Sequence, residues 1–235
     1  LYRQTLEVTE MLVDAMVDWG LRGAVGLDPR IQDVRPWVWR GFVVRPRYTF
    51  YVDLPFDPEA SDKTFRKRNR VAERRGFYVR VHAPLQDVFE CLRAAEERQG
   101  FTHQLRLRDL EIARDLLGRE RFRTYVAYAK DGTPASARVA LHVSGTRAVG
   151  WVAGTKPEYL KDGVAQYMLV ASLQDLFEVG AIGFDYVGAN IKTVAAAKAN
   201  AGGRLVTYYS VEQRNPRYIA KELLATARGQ RRRNS

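Results

Sequence analysis

The sequence predicts an α/β (α+β) fold, with a mixed, largely antiparallel sheet flanked by helices. Three observations carry that expectation. Residues 123–129 and 136–143 alternate on either side of Asp131-Gly132, a dipeptide suited to a hairpin turn, and Ser144-Gly145 leads into a third strand at 147–153. A helical run at 164–179 follows, with Ala165, Met168, Leu169, Ser172, Leu173 and Leu176 on one face and Gly180 closing it. A short strand at 182–186 then returns to the sheet beside 147–153. The helix is therefore a crossover between parallel neighbours, while the hairpins supply the antiparallel part.

The other elements follow from local signals. Leu6, Thr9, Leu12, Val13, Met16 and Val17 share a helical face over 6–19, which Gly20 stops. Ala24 and Val25 read as a short strand. The aromatic stretch 33–42 has Pro36 inside it and reads as an irregular connection. Residues 47–54 are β-rich up to Pro55. Ser61 or Asp62 caps a basic helix that Gly76 closes. A strand at 77–82 and helices at 86–98 and 107–117 come next, the last ending at Gly118. Beyond 186, a small-residue helical segment surrounds Lys198, Gly202-Gly203 breaks it, and 205–209 reads as a strand. Residues 216–227 are the last predicted helix.

A chain of 235 residues can bury one good core or two small ones. No apolar run approaches the roughly 20 residues that span a bilayer, so a soluble, cytoplasmic protein is expected. The single cysteine, Cys91, excludes an internal disulfide and suits a reducing compartment. His82, His103 and His142 have no metal-ligand spacing, and no metal is expected. No Ser-His-Asp or Cys-His arrangement is suggested, which favours direct transfer over a covalent intermediate. The chain begins inside an amphipathic helix pattern, as a piece of a longer protein would.

The net charge of +11 is concentrated in two places: 61–75 carries +5 and 214–235 carries +6. On a helix, Arg66, Arg70 and Arg74 fall at i, i+4 and i+8 and form a basic ridge suited to phosphates. A solvated helix face accounts for the first cluster as well as a ligand does, and a frayed chain end accounts better for the second.

Residues 155–163 join a strand to a helix N-terminus, where exposed N–H groups favour an anion; Lys156, Gly163 and Val164 are the candidate cofactor contacts there. Asp185, Tyr186 and Asn190 fall at the carboxyl end of a strand, where open sheets hold ligands. Asp185 either takes a proton from an incoming amine or caps the following turn. Tyr208 and Tyr209 alternate faces, and Tyr208 is the candidate cleft residue.

The order G-x-x-x-FD-x-x-G at 180–188, then K-x-x-x-GG-R-LV-x-YY at 198–209, resembles the C-terminal signature of the FemAB-like branch of the GCN5-related N-acyltransferase (GNAT) superfamily, to which BioF2-like acetyltransferases also belong. The lead-in RPWVWRGFVVRPRYTFYVDL, followed by FRKRNRVAERRGFYVRV, extends the resemblance over 33–211. It implies a GNAT-like domain at 54–213, the end of a partial first acyltransferase-like domain at 1–53, and a basic C-terminal helix and tail at 214–235. It further implies an N-acyltransferase moving an acyl or aminoacyl group from acyl-coenzyme A or aminoacyl-tRNA to a primary amine on a peptidoglycan precursor or a small molecule. By the same resemblance Lys198 stabilises charge on the transferred carbonyl, although Ala197 and Ala201 stand where relatives have aromatics. The alternative is an inactive module of this fold that grips RNA or anionic envelope polymers.

Overall fold

A computed structural model of the chain describes residues 2–20, 23–99, 105–214, 218 and 219. His103 and nearly all of the predicted helix and tail at 214–235 lie outside the described residues. The elements, in order, are α1 (Tyr2–Asp18), β1 (Ala24–Gly26), α2 (Arg35–Trp39), β2 (Phe42–Asp53), α3 (Lys63–Arg74), β3 (Tyr78–Val81), α4 (Leu85–Gln99) and α5 (Leu107–Arg121). Then come β4 (Phe122–Tyr128), β5 (Pro134–Leu141), β6 (Arg147–Thr155), α6 (Val164–Glu178), β7 (Gly183–Asp185), α7 (Lys192–Ala199) and β8 (Arg204–Gln213). Short 3-10 turns lie at Pro58–Ala60 and Pro157–Tyr159.

The described residues of 1–48 and 206–235 form one compact unit, and 49–205 form the other. In the first, β1 runs antiparallel to β8 with Val25 opposite Val211. Val13 and Met16 of α1 pack on Trp37, Phe42 and Val211.

In the second unit the strand order is β2-β7-β6-β5-β4-β3. Every neighbouring pair is antiparallel except β6 and β7, which are parallel as the crossover at 164–179 requires. One face of this sheet buries Met168, Leu169, Leu173 and Leu176 of α6 and Phe65 and Ala72 of α3 against Ala140, Ala148 and Phe184. The other buries Val88, Cys91 and Leu92 of α4 and Leu110 of α5 against Phe122, Val126 and Val139. At roughly 1.5–3 kcal/mol for each large apolar side chain, these two layers dominate the unit's stability. Asp175 of α6 is tied to β4 by both nitrogens of the Arg123 fork, at 2.8 Å each, and by the Tyr125 hydroxyl at 2.7 Å. Among the described residues no helix is long and apolar enough to cross a membrane.

Three local expectations need correction. Residues 35–39 are helical rather than irregular, because Pro36 stands in the first turn, where its missing N–H has no helical partner to lose. The fifth helix does not stop at Gly118: that residue kinks it (φ 76°, ψ 159°) and the element continues to Arg121. The second strand begins at Phe42, five residues earlier than its β-rich core suggests.

Candidate active site

The site begins where two parallel strands part. β6 and β7 share only the positions Arg147↔Gly183, Ala148↔Phe184 and Val149↔Asp185. From Gly150 onward β6 continues to Thr155 beside β5 alone, while the chain leaves β7 at Tyr186. The β5–β6 register also shifts here, between Val139 and Ala140, a local bulge of the sort that re-aims side chains beside active sites.

Past β7 the backbone turns sharply. Asp185 Oδ1 accepts the Thr49 hydroxyl at 2.5 Å and the Val187 N–H at 2.8 Å. Val187 (φ 49°) and Gly188 (φ 66°) are both left-handed, a conformation a β-branched residue adopts only when its surroundings impose it. Lys198 of α7 supplies the restraint. Its ammonium donates to the carbonyls of Tyr186 (2.9 Å), Val187 and Gly188 (2.7 Å). Burial, and then the charge of Arg138, pull the Lys198 pKa down to about 8, with Asp185 acting in the opposite direction.

Tyr186 is buried, meets Phe184 edge-on at 5.3 Å and donates to the Ala201 carbonyl at 3.5 Å. Burial pushes its hydroxyl up to about 12, so it stays neutral. Asn190 is exposed at the end of the same loop.

Arg138, which the sequence reading does not single out, completes the cluster. Its guanidinium lies 5.4 Å from the Phe184 ring centroid, and its Nε is sealed from solvent with no hydrogen-bond partner. A Cβ added to Gly150 would stand 2.8 Å from Phe184, 3.3 Å from the Asp185 carbonyl oxygen and 3.4 Å from Arg138 Nη1. Glycine at 150 is what lets these groups close on the parting. Burial lowers the Arg138 pKa, with only neighbouring Tyr186 and Tyr125 acting against it. The one available signal was arginine at an internal position of an alternating strand.

The remaining candidates stand elsewhere. Lys156 is buried and paired with Glu90; burial works against its charge, but that hydrogen bond prevails and raises its pKa. A Cβ on Gly163 (φ 77°) would stand 2.0 Å from the Arg68 carbonyl oxygen, so α3 lies directly against the start of α6; Val164 is core, and Asp162 pairs with Arg75. Arg66 turns away from the predicted ridge and donates to the Glu59 (2.9 Å) and Ser61 carbonyls. Arg70 and Arg74 remain exposed, with Lys63 and Lys67. The ring of Tyr208 lies over Gly26 in the first unit. Burial pushes the Cys91 thiol up to about 12, so it is no nucleophile. Among the described residues no three His, Cys, Asp or Glu side chains are grouped to hold a metal ion.

Residues 60–199 match the sequence pattern of the family described as "Acetyltransferase (GNAT) domain". No curated protein matches the chain. Among solved structures, it is similar to the C-terminal domain of a protein assigned as a lysylphosphatidylglycerol synthetase from Agrobacterium fabrum, at 14% identity and TM-score 0.66, over 94% of this chain and 76% of that one. L-PGS from Bacillus licheniformis gives 14% identity and TM-score 0.65 over 94% and 76%, and FemX gives 12% and 0.63 over 79% and 69%. At these identities the likeness is one of fold.

Proposed function

We propose that this chain, which belongs to the acetyltransferase (GNAT) domain family, is an N-acyltransferase moving an acyl or aminoacyl group from an activated carrier directly to a primary amine. The observation that carries this reading is the gathering of Lys198, Asp185 and Arg138 where β6 and β7 part. An attacking amine must first lose a proton. Asp185 has Oδ1 engaged by Thr49 and Val187, and no described group bonds its Oδ2, which is the acceptor assigned to that proton. As the carbonyl carbon becomes tetrahedral its oxygen gains negative charge. Lys198, held rigidly by three carbonyls, is a fixed positive charge that lowers the cost of that state.

For the carrier, the start of α6 argues against coenzyme A. A pyrophosphate cradle needs open N–H groups at a helix N-terminus, whereas here Asp162 adds negative charge and Gly163 abuts Arg68. The exposed Lys63, Lys67 and Arg70 of α3 suit a polyanionic carrier, so aminoacyl-tRNA is the favoured donor. The assignment of one structural neighbour as a lysylphosphatidylglycerol synthetase is in keeping with aminoacyl transfer. Binding of labelled coenzyme A and of charged tRNA, each followed by transfer to an amine, tests the proposal. Transfer from neither carrier would overturn it.

One observation favours a second reading. All three ammonium protons of Lys198 are taken up by backbone carbonyls, as a purely structural clamp requires. An inactive module binding RNA or anionic envelope polymers would bind charged tRNA yet transfer nothing.

A further inference from the structure

Arg138 poses a problem of charge that acyl transfer alone does not solve. Among the described residues it has neither a hydrogen-bond acceptor nor a carboxylate partner, and its Nε is shut off from water. A guanidinium in that position is costly, and native proteins pair such groups. A second cation, Lys198, feels its charge: Arg138 helps to hold the Lys198 pKa down. Asp185, with Oδ1 engaged by Thr49 and Val187, brings one negative charge against these two positive ones. The side chains of the site therefore leave one positive charge in excess, and a neutral carbonyl entering it would leave that excess in place. A transient oxyanion compensates charge only at the moment of reaction. A ligand with a permanent negative charge compensates it on binding.

We propose that Arg138 is the receptor for the carboxylate of the acceptor, which makes the acceptor a carboxylate-bearing amine such as an amino acid or a peptide end. The part about the acceptor rests on the acyltransfer reading; the capture of a carboxylate does not. The fork geometry favours a carboxylate over a phosphoryl group. The two terminal guanidinium nitrogens match two coplanar oxygens of one carboxylate. Phe184 below the guanidinium and glycine at 150 keep the fork in place without competing for its N–H groups.

The test follows the Lys198 side-chain ammonium by NMR titration in the full chain, with sodium acetate, acetamide and inorganic phosphate as probes at constant ionic strength. Acetate is expected to raise the Lys198 pKa by about one unit, because an anion beside it favours its charged form, and acetamide is expected to leave it unchanged. Arg138→Met should abolish the acetate response and melt no lower than the wild type, since it removes a half-buried charge whose Nε is sealed without a partner. Arg138→Gln, which keeps polarity and length, should weaken acetate binding at least about 10-fold. An unchanged acetate response in either variant, no response in the wild type, or a stronger response to phosphate would overturn the proposal. With charged tRNA or acetyl-coenzyme A as donor, glycine should show a lower KM than glycinamide, and Arg138→Gln should erase that difference. A fall in kcat at constant KM would instead mark an oxyanion donor and refute carboxylate capture. If neither amine is acylated, the acyltransfer reading fails, and the acetate titration still decides the role of Arg138.

Discussion

Replacing Lys198 separates catalysis from scaffolding, because the two roles carry different free energies. As a stabiliser of the developing oxyanion, the ammonium contributes on the scale of one oxyanion-hole donor, so Lys198→Ala should lower kcat roughly 10²–10³-fold. Its structural contribution is a balance. Three hydrogen bonds from the ammonium to carbonyls contribute about 1.5 kcal/mol each, the low end for a charged donor. Against them stands the cost of holding the charge: a shift from 10.5 to about 8 corresponds to at most about 3.4 kcal/mol, less for a side chain that keeps some solvent contact. The terms nearly offset, and Lys198→Ala should change stability by less than about 2 kcal/mol while turnover collapses. Lys198→Arg should restore little, because a planar fork does not fit three carbonyls converging on one point.

The pH dependence checks the same numbers. The folded-state pKa is lowered below the unfolded value, so below about pH 8 both states carry the proton and the penalty is fully present. Between about 8 and 10.5 the unfolded chain binds more protons, and stability should rise with pH. Wild-type melting temperatures should rise relative to those of Lys198→Ala in that window. Turnover should fall as pH rises through about 8, because the charged form is the one at work. An Ala variant with wild-type kcat and a much lower melting temperature would leave Lys198 a clamp and refute the catalytic role.

Three further outcomes are expected. Asp185→Asn keeps an oxygen for Thr49 and Val187, so the loop should survive with a nearly unchanged melting temperature while kcat/KM drops by at least about 10²-fold, the scale of lost general-base catalysis. Gly163→Ala combines a left-handed backbone with a Cβ 2.0 Å from the Arg68 carbonyl oxygen; denaturant unfolding should show a loss of about 3 kcal/mol or more. Arg70→Glu should weaken binding of charged tRNA with a deficit that shrinks as salt rises, and equal binding at low salt would mean that the α3 cations are only a solvated face.

What was legible in the sequence, and what was not, divides by range. The hairpin at Asp131-Gly132, the helix ending at Gly180 and the parallel return to β6 are announced by turn residues and periodicity inside or beside each element, and all appear in the structure. The strand-end rule likewise drew attention to Asp185 and Tyr186, beside which Lys198 stands; their chemical roles are part of the proposal. Arg66 shows how a local rule misleads. Its i, i+4, i+8 spacing from Arg70 and Arg74 is real, yet the carbonyls of Glu59 and Ser61, presented by the turn at 58–60, capture its guanidinium. Helical periodicity carries no information about a turn that precedes the helix.

Arg138 is the harder case. In Ser136-Ala137-Arg138-Val139 the alternation reads as a strand with its polar side chains toward water. That face is instead covered by α6 and by Phe184 and Tyr186, elements that begin more than 25 residues later, and nothing within the strand predicts the covering. An arginine that alternation assigns to solvent, and that the fold then places without a counterion beside a second cation, contradicts the local rule at a cost in stability. Such a conflict persists where a ligand supplies the missing charge. The same reasoning ties the melting temperature of Arg138→Met to the role of the site. A variant more stable than the wild type, and unable to bind acetate, would show that the chain carries this arginine for its ligand and not for its fold.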